Sequence, residues 1–345
     1  MKRIFSAFLF LVAAGLFPAR AQTPPVVTMG VVKIQSATPI YIAAEKGYFR
    51  DLGVDVKIET IESTGTSMPL LATNRLQFVV GGIGAAYWNA LTKQLPVILA
   101  FGTASSPAHN AVVVRADLAG TIKTASDLKG RTVGANAPGA IPIYQLGKLL
   151  ETAKLSLADV DVRYIPLPQI SIAMGNRALD VALISPPWSN IVIDQKIGVP
   201  WIDFDDVIRP QPTAIGAFTA NADWIKQNHD QALRVFLALG HASRDYCQAY
   251  HHGPNRVEVE DIMVKYQLAT DRASIDALPW QSRDPNGRVN VLSVEDIQEV
   301  FFREHLITQK FPPEKLVDAS FVDAVAKELG PFQPINKDSK EVGCR

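Results

Sequence analysis

The sequence predicts an α/β protein of two lobes, and three observations carry that reading. Its 345 residues exceed one typical domain of roughly 100–200 residues. Short strand-like runs alternate with helical stretches over residues 29–101 and again over 111–184, the second set repeating the plan of the first. From Ala222 onward the pattern changes to helices with almost no strand signal.

Lys2 and Arg3 precede an apolar run over 4–17, and Ala19-Arg20-Ala21 puts small residues at the two positions a signal peptidase reads. Residues 1–21 therefore read as a cleaved secretory signal, since the run is shorter than the roughly 18–20 residues of a membrane span. No cysteine lies near the cut to take a lipid. Lys plus Arg and Asp plus Glu both number 34, and removing Lys2, Arg3 and Arg20 leaves a slightly acidic chain. That balance argues against nucleic acid or a polybasic membrane contact. Cys247 and Cys344 are the only cysteines; they pair in an oxidising compartment or stay as two thiols, and sequence alone gives no distance to decide.

Residues 29–35 form the first expected strand. Pro39 suits the first turn of a helix, Ile40, Ala43 and Ala44 share one face, and Gly47 sits where a left-handed cap would stop it. Gly53 turns the chain, and Val54, Val56 and Ile58 alternate with Asp55, Lys57 and Glu59 as a strand with one covered face. Such a β-α-β unit leaves a crevice beyond the carboxyl ends of its strands, where open α/β sheets take ligands. A polar turn over 62–67 feeds a short helix through Met68 and Leu71, and residues 76–80 are the third strand. Gly81-Gly82-Ile83-Gly84 opens a helix carrying Tyr87, Trp88 and Leu91, and 96–101 is the fourth strand. Each of the first three strands thus ends in Ser, Thr or Gly before a helix, which gathers N–H groups and hydroxyls on one rim.

Residues 102–110 read as the first crossing between lobes. The second set comprises a strand at 111–115, a capped turn at 124–130, a strand at 131–135, a helix beginning after Asn136, a strand at 160–167, a short helix at 169–176 and a strand at 180–184. The last of these ends at Ser185-Pro186-Pro187-Trp188, and 214–220 returns the chain. Leu233, Phe236, Leu237 and Gly240 then share one face of a long helix stopping near Gly253, with further helices over 262–268, 294–306 and 321–329.

Pro39-Ile40-Tyr41-Ile42-Ala43, Glu45-Lys46-Gly47-Tyr48-Phe49 and Gly53-Val54-Asp55-Val56 combine with Ser126-Asp127-Leu128-Lys129-Gly130-Arg131-Thr132-Val133-Gly134, Ala178-Leu179-Asp180-Val181-Ala182 and Asp318-Ala319-Ser320-Phe321-Val322. Together these resemble the periplasmic solute-binding proteins of nitrate/taurine/sulfonate-type ABC importers, over nearly the whole mature chain. The resemblance implies the type II periplasmic binding protein fold. Lobe 1 would comprise residues 22–106 and 221–345, lobe 2 residues 107–220, with the helical C-terminal part packing on lobe 1. It further implies a periplasmic monomer that closes on a small molecule and delivers it to an ABC permease and its ATPase, without catalytic residues, cofactor or metal.

By position in that fold, the first-lobe ligand candidates are Ser36, Thr38, Ser63, Thr64, Gly65, Thr66, Gly82, Ile83 and Gly84. Those of the second lobe are Asn136, Pro138, Gly139, Ala140 and Ser185, with Thr103, His109 and Asn110 at the crossing. Tyr41 and Trp188 each open a helix after a strand end, where a ring can cover a ligand's apolar body; Tyr87 and Trp88, spaced with Leu91, read as core. Each glycine also has the plain reading of a tight turn, and His109 that of a surface residue. Helix N-termini at Thr66, Gly84 and Ala140 suit a carboxylate or sulfonate. The rims carry no Arg or Lys, which favours a small organic sulfonate or carboxylate, or a neutral heterocycle such as a vitamin precursor, over inorganic oxyanions. Residues 45–53, at the far end of the opening helix, are expected to shape the fold or face the permease. Two other readings stay open: a thiamine-pyrimidine-synthase-like enzyme of the same fold, against which the export signal weighs, and a periplasmic ligand-sensing partner of a membrane receptor.

Overall fold

The computed structural model describes residues 26–108, 111–277, 280–340 and 343–344. The signal-peptide reading and the candidates His109 and Asn110 lie outside these. The strands, in chain order, are β1 (Val27–Val32), β2 (Val56–Ile61), β3 (Phe78–Gly82), β4 (Val97–Ser105), β5 (Ala111–Arg115), β6 (Thr132–Ala135), β7 (Asp161–Tyr164), β8 (Val181–Ile184), β9 (Gly198–Asp203) and β10 (Ala214–Asn221). They form two five-stranded sheets, ordered β2-β1-β3-β10-β4 and β7-β6-β8-β5-β9. In each sheet three strands run parallel, and a fourth runs antiparallel to both its neighbours: β10 in the first, β5 in the second. β9 is the strand that sequence patterning does not assign. Pro200 breaks its ladder, a residue tolerated only because β9 lies at the sheet edge.

The longer helices are α1 (Thr38–Glu45), α2 (Thr64–Ala72), α3 (Ala85–Thr92), α4 (Ile141–Glu151), α5 (Trp188–Asp194), α6 (His229–Tyr250), α7 (Arg256–Lys265), α8 (Val291–Arg303) and α9 (Ser320–Leu329). Period-two alternation decides which core each strand residue enters. Phe78 and Val80 of β3 and Phe218 of β10 face α6, whereas Val79 and Ala217 face the opposite core. On the α6 side Phe236 meets Phe78 at 5.5 Å and stacks on Phe101 at 5.7 Å. Burying each such ring contributes about 1.5–3 kcal/mol by area removed from water. The opposite core continues from the first sheet into the second through Ile83, Ile141, Val112 and Leu183.

The C-terminal helices α6 and α9 pack on the first sheet, and α8 additionally reaches the second lobe. Its Phe301 ring lies 5.6 Å from Trp88 of α3 and 6.5 Å from Tyr144 of α4. Its Asp296 accepts the Tyr144 hydroxyl at 2.7 Å and Lys148 Nζ at 3.1 Å. Burial and then Asp296 push the Tyr144 hydroxyl well above its ordinary pKa. Cys247 on α6 forms a disulfide with Cys344, Cα atoms 5.3 Å apart, which resolves the two possibilities the sequence left. The end of α1 is fastened too. Lys46 pairs with Asp245 at 2.6 Å, and Glu45 accepts from Lys265 at 2.7 Å and from the Tyr266 hydroxyl. Those two hydrogen bonds, Lys265 foremost, hold the Glu45 carboxyl below the usual range. These contacts show residues 45 and 46 shaping the fold.

Candidate functional site

A cavity of about 60 Å³ lies where the carboxyl ends of the two sheets meet. From the first sheet its wall takes the turn after β1, the start of α2 and the end of β3. From the second it takes the segment 136–142 before and within α4, and Ser185 after β8.

The start of α2 is built by its own sequence. Ser63 is extended and its Oγ accepts the Thr66 amide at 3.2 Å, a serine N-cap. Thr64 Oγ1 donates to the Gly82 carbonyl at 3.0 Å, tying the helix to the end of β3. The amides of Thr64 and Gly65 therefore head the helix at the cavity wall, in the turn where N–H groups lack intrahelical acceptors.

The two rims touch. Ala85 N–H donates to the Gly139 carbonyl at 2.7 Å, and Gln35 N–H approaches the Pro186 carbonyl at 3.5 Å. Gly139 adopts φ +60°, and a Cβ there would stand 2.7 Å from Ala85 Cβ; a Cβ on Gly84 would stand 2.8 Å from the Gly139 carbonyl oxygen. Glycine is therefore required at both positions by close approach, and at Gly139 by its positive φ as well. The Ala85 amide, the first after the helix N-terminus at Gly84, is spent on this inter-lobe bond.

Of the candidates named from sequence, Ser36, Ser63, Thr64, Gly65, Gly82, Gly84, Asn136, Pro138, Gly139, Ala140 and Ser185 line the cavity together. Six others do not. Thr38 is fully buried, its hydroxyl donating to the Gln35 carbonyl at 2.7 Å to close the turn before α1. Tyr41 is core, stacked on Tyr266 at 4.4 Å, and burial pushes its hydroxyl up. Ile83 is core as well. Thr66 is exposed, with its hydroxyl turned back to the Ser63 carbonyl at 3.2 Å. Thr103 is buried beside Gly216 with no partner for its Oγ1. Trp188 is half-buried, and its indole N–H likewise has no partner.

Sequence reasoning missed Ile141, Ile215, Gly216 and Gln281, all of which line the cavity. Ile215 and Gly216 come from the returning strand β10, whose pattern signals a strand and nothing more. Gln281 lies in the loop that precedes α8 and carries no local signal; its backbone N–H donates to Gln35 Oε1 at 3.2 Å, which holds it to the turn after β1. The polar groups of the wall are thus Ser36, Ser63, Thr64, Asn136, Ser185 and Gln281, and among the described residues no ionisable side chain lines it. Behind the wall, Arg283 donates from Nη1 to the Ser36 carbonyl at 3.3 Å. Among the described residues no group of three or more His, Cys, Asp or Glu is placed to hold a metal. Both cysteines are in the disulfide. The arrangement can enclose and hydrogen-bond a compact ligand.

The sequence profile of the NMT1-like family matches residues 20–259. The nitrate/nitrite binding protein NrtA of Nostoc is 27% identical over 231 residues, 61% of this chain and 51% of that protein. The putative binding protein YtlA of Bacillus subtilis is 22% identical over 315 residues, 87% of this chain and 91% of that one. This chain therefore spans about half the length of the NrtA protein it matches. Among solved structures, NrtA from Synechocystis superposes with a TM-score of 0.72 at 14% identity, covering 92% of this chain and 91% of that one. The alkanesulfonate-binding protein SsuA from Xanthomonas axonopodis, bound to MOPS, gives 0.71 at 13%, covering 87% and 100%. The desulfurization enzyme DSZB gives 0.63 at 14%, covering 88% and 99%. These structures share the two-lobed fold. The chain belongs to the NMT1-like family.

Proposed function

We propose that this NMT1-like protein is the periplasmic substrate-binding component of an ABC importer, and that its ligand is a compact molecule with an anionic head such as a sulfonate or carboxylate. One observation carries the reading: two rims of small and hydroxyl-bearing residues, one from each lobe, meet edge to edge around a cavity that no ionisable side chain lines among the described residues. Relatives that bind nitrate/nitrite and fold neighbours that bind sulfonates support it. Ser63, Thr64 and the head of α2 would supply donors from one side, Asn136 and Ser185 from the other. A ligand that contacts both sides favours the closed form by its differential affinity for that form, and in no other way. The closed protein would then be what an ABC permease and its ATPase receive.

An enzymatic reading takes its support from DSZB, which shares the fold. The cavity wall argues for binding instead: it offers no thiol and no acid–base pair among the described residues. Thermal shift of the mature protein with nitrate, alkanesulfonates, carboxylates and pyrimidines tests the proposal, together with the mass of any copurifying small molecule. A rise in melting temperature with at least one small anion is expected. Turnover of a panel member without any stabilisation would replace binding with catalysis.

A further inference from the structure

We infer that Arg283 sets the charge preference of the cleft, making it select an anion over an uncharged ligand of the same shape, and that it does so through Ser36 rather than by touching the ligand. The inference rests on the binding reading above and specifies which ligand chemistry the cavity takes.

Arg283 is 2% exposed, and its guanidinium lies 3.7 Å from the centre of the Tyr246 ring. Nη1 donates to the Ser36 carbonyl, while among the described residues Nε and Nη2 have no hydrogen-bond partner. No described carboxylate pairs with it. The adjacent Asp284 directs Oδ1 to the amides of Asn286 and Arg288. Two other partly buried arginines are provided for. Arg256 pairs with Glu260 at 2.8 Å and Asp276 at 3.3 Å, and Arg244 bonds Asn286 and the carbonyls of Leu329 and Gly330. Burial pulls the Arg283 guanidinium below its ordinary pKa, but arginine starts so high that the group stays charged.

A buried charge without a countercharge is costly, and the cost is largest where water cannot reach. Ser36, which takes the Nη1 bond, lines the cavity. Gln281, two residues before Arg283, lines it too and is pinned by Gln35. The uncompensated charge therefore sits one residue behind the cavity wall; on its other side it borders a second, more open cleft of about 650 Å³ that it shares with Asp284 and Arg288, whereas across the buried Ser36 turn its Coulomb attraction is less screened than through bulk water. An anion in the cavity supplies the missing countercharge without a direct contact. A neutral isostere makes the same wall contacts and supplies none.

The test measures calorimetric affinities of the mature protein for matched pairs: methanesulfonate against dimethyl sulfone, acetate against acetamide, nitrate against nitromethane. Wild type should prefer the anion of the best-bound pair by about tenfold or more. Arg283→Met should lose most of that ratio by weakening the anion alone, and Arg283→Lys should keep most of it. A purely structural role would weaken both members of a pair alike, and that result, or an unchanged ratio in Arg283→Met, overturns the inference while leaving the binding reading intact. If Arg283→Met does not fold, the wild-type ratio decides, since equal affinities for anion and isostere also overturn it. Failure of every panel member, charged and neutral, to bind wild type would bring down the binding reading and this inference with it.

Discussion

The two sheets share one plan of three parallel strands, one antiparallel strand and an edge strand, yet they are covered very differently. The α6 face of the first holds Phe78, Phe101, Phe218 and Phe236, and the disulfide fastens α6 from behind. The corresponding face of the second is a small cluster of Val113, Ile170, Met174, Leu179, Ala182, Ile184 and Val192, without an aromatic ring. The same topology therefore tolerates two levels of burial. The lightly covered sheet is where local opening should start, since few buried apolar contacts mean low local stability.

This contrast can be broken at several points. Phe236→Ala should cost about 3–5 kcal/mol in denaturant unfolding, and Met174→Ala about 2–3 kcal/mol. A larger loss at Met174 would reverse the comparison. Replacing both Cys247 and Cys344 by Ser should cost about 2–4 kcal/mol, read as faster hydrogen exchange in α6 with β8 unchanged. Equal acceleration in both would show that the disulfide stabilises the whole chain and not one sheet. Gly139→Val places a branched side chain against Ala85 in a backbone conformation such residues avoid; it should weaken binding of the best panel anion by about tenfold, with only a small shift in the melting temperature of the unliganded protein. Unchanged affinity would mean that the rims need not meet for binding. Asp296→Asn, at partly exposed groups, should cost about 1 kcal/mol in the same unfolding experiment.

How much of this was legible from sequence depends on how local each signal is. The opening helix was readable because Pro39 starts it and Gly47, at φ +76°, follows its end; both act within a few residues. The paired polar rims were readable for the same reason, as strand ends running into helix starts. Tyr41 was misassigned because its partner, Tyr266, is 225 residues away and periodicity cannot reveal it. Thr38 lies in the right turn, but it answers the Gln35 carbonyl and not the cavity. Gln281 and Arg283 had no signal at all, since nothing in their neighbourhood marks a strand end. The bridge from Ser105 to Ser282, with the bonds of Gln281 to Gln35 and Arg283 to Ser36, brings that segment to the cleft floor. Among the described residues the wall carries no cation, and a charge one residue behind it is invisible to motif reading.

Helix α8 has a mechanical consequence. It grips α4 through directional bonds from Asp296 to Tyr144 and Lys148, and it meets α3 through the edge of one ring on another, Phe301 on Trp88. Any rotation that parts α3 from α4 must disrupt one of these two attachments. Charge-assisted hydrogen bonds fail abruptly with distance and angle, whereas ring contacts keep much of their attraction as they slide. On the first-lobe side, however, the ring contact is joined by a buried directional bond, the Ala214 amide donating to Ser293 Oγ at 2.8 Å, so α8 is pinned to both lobes and a rotation that parts them must break hydrogen bonds on one side or the other.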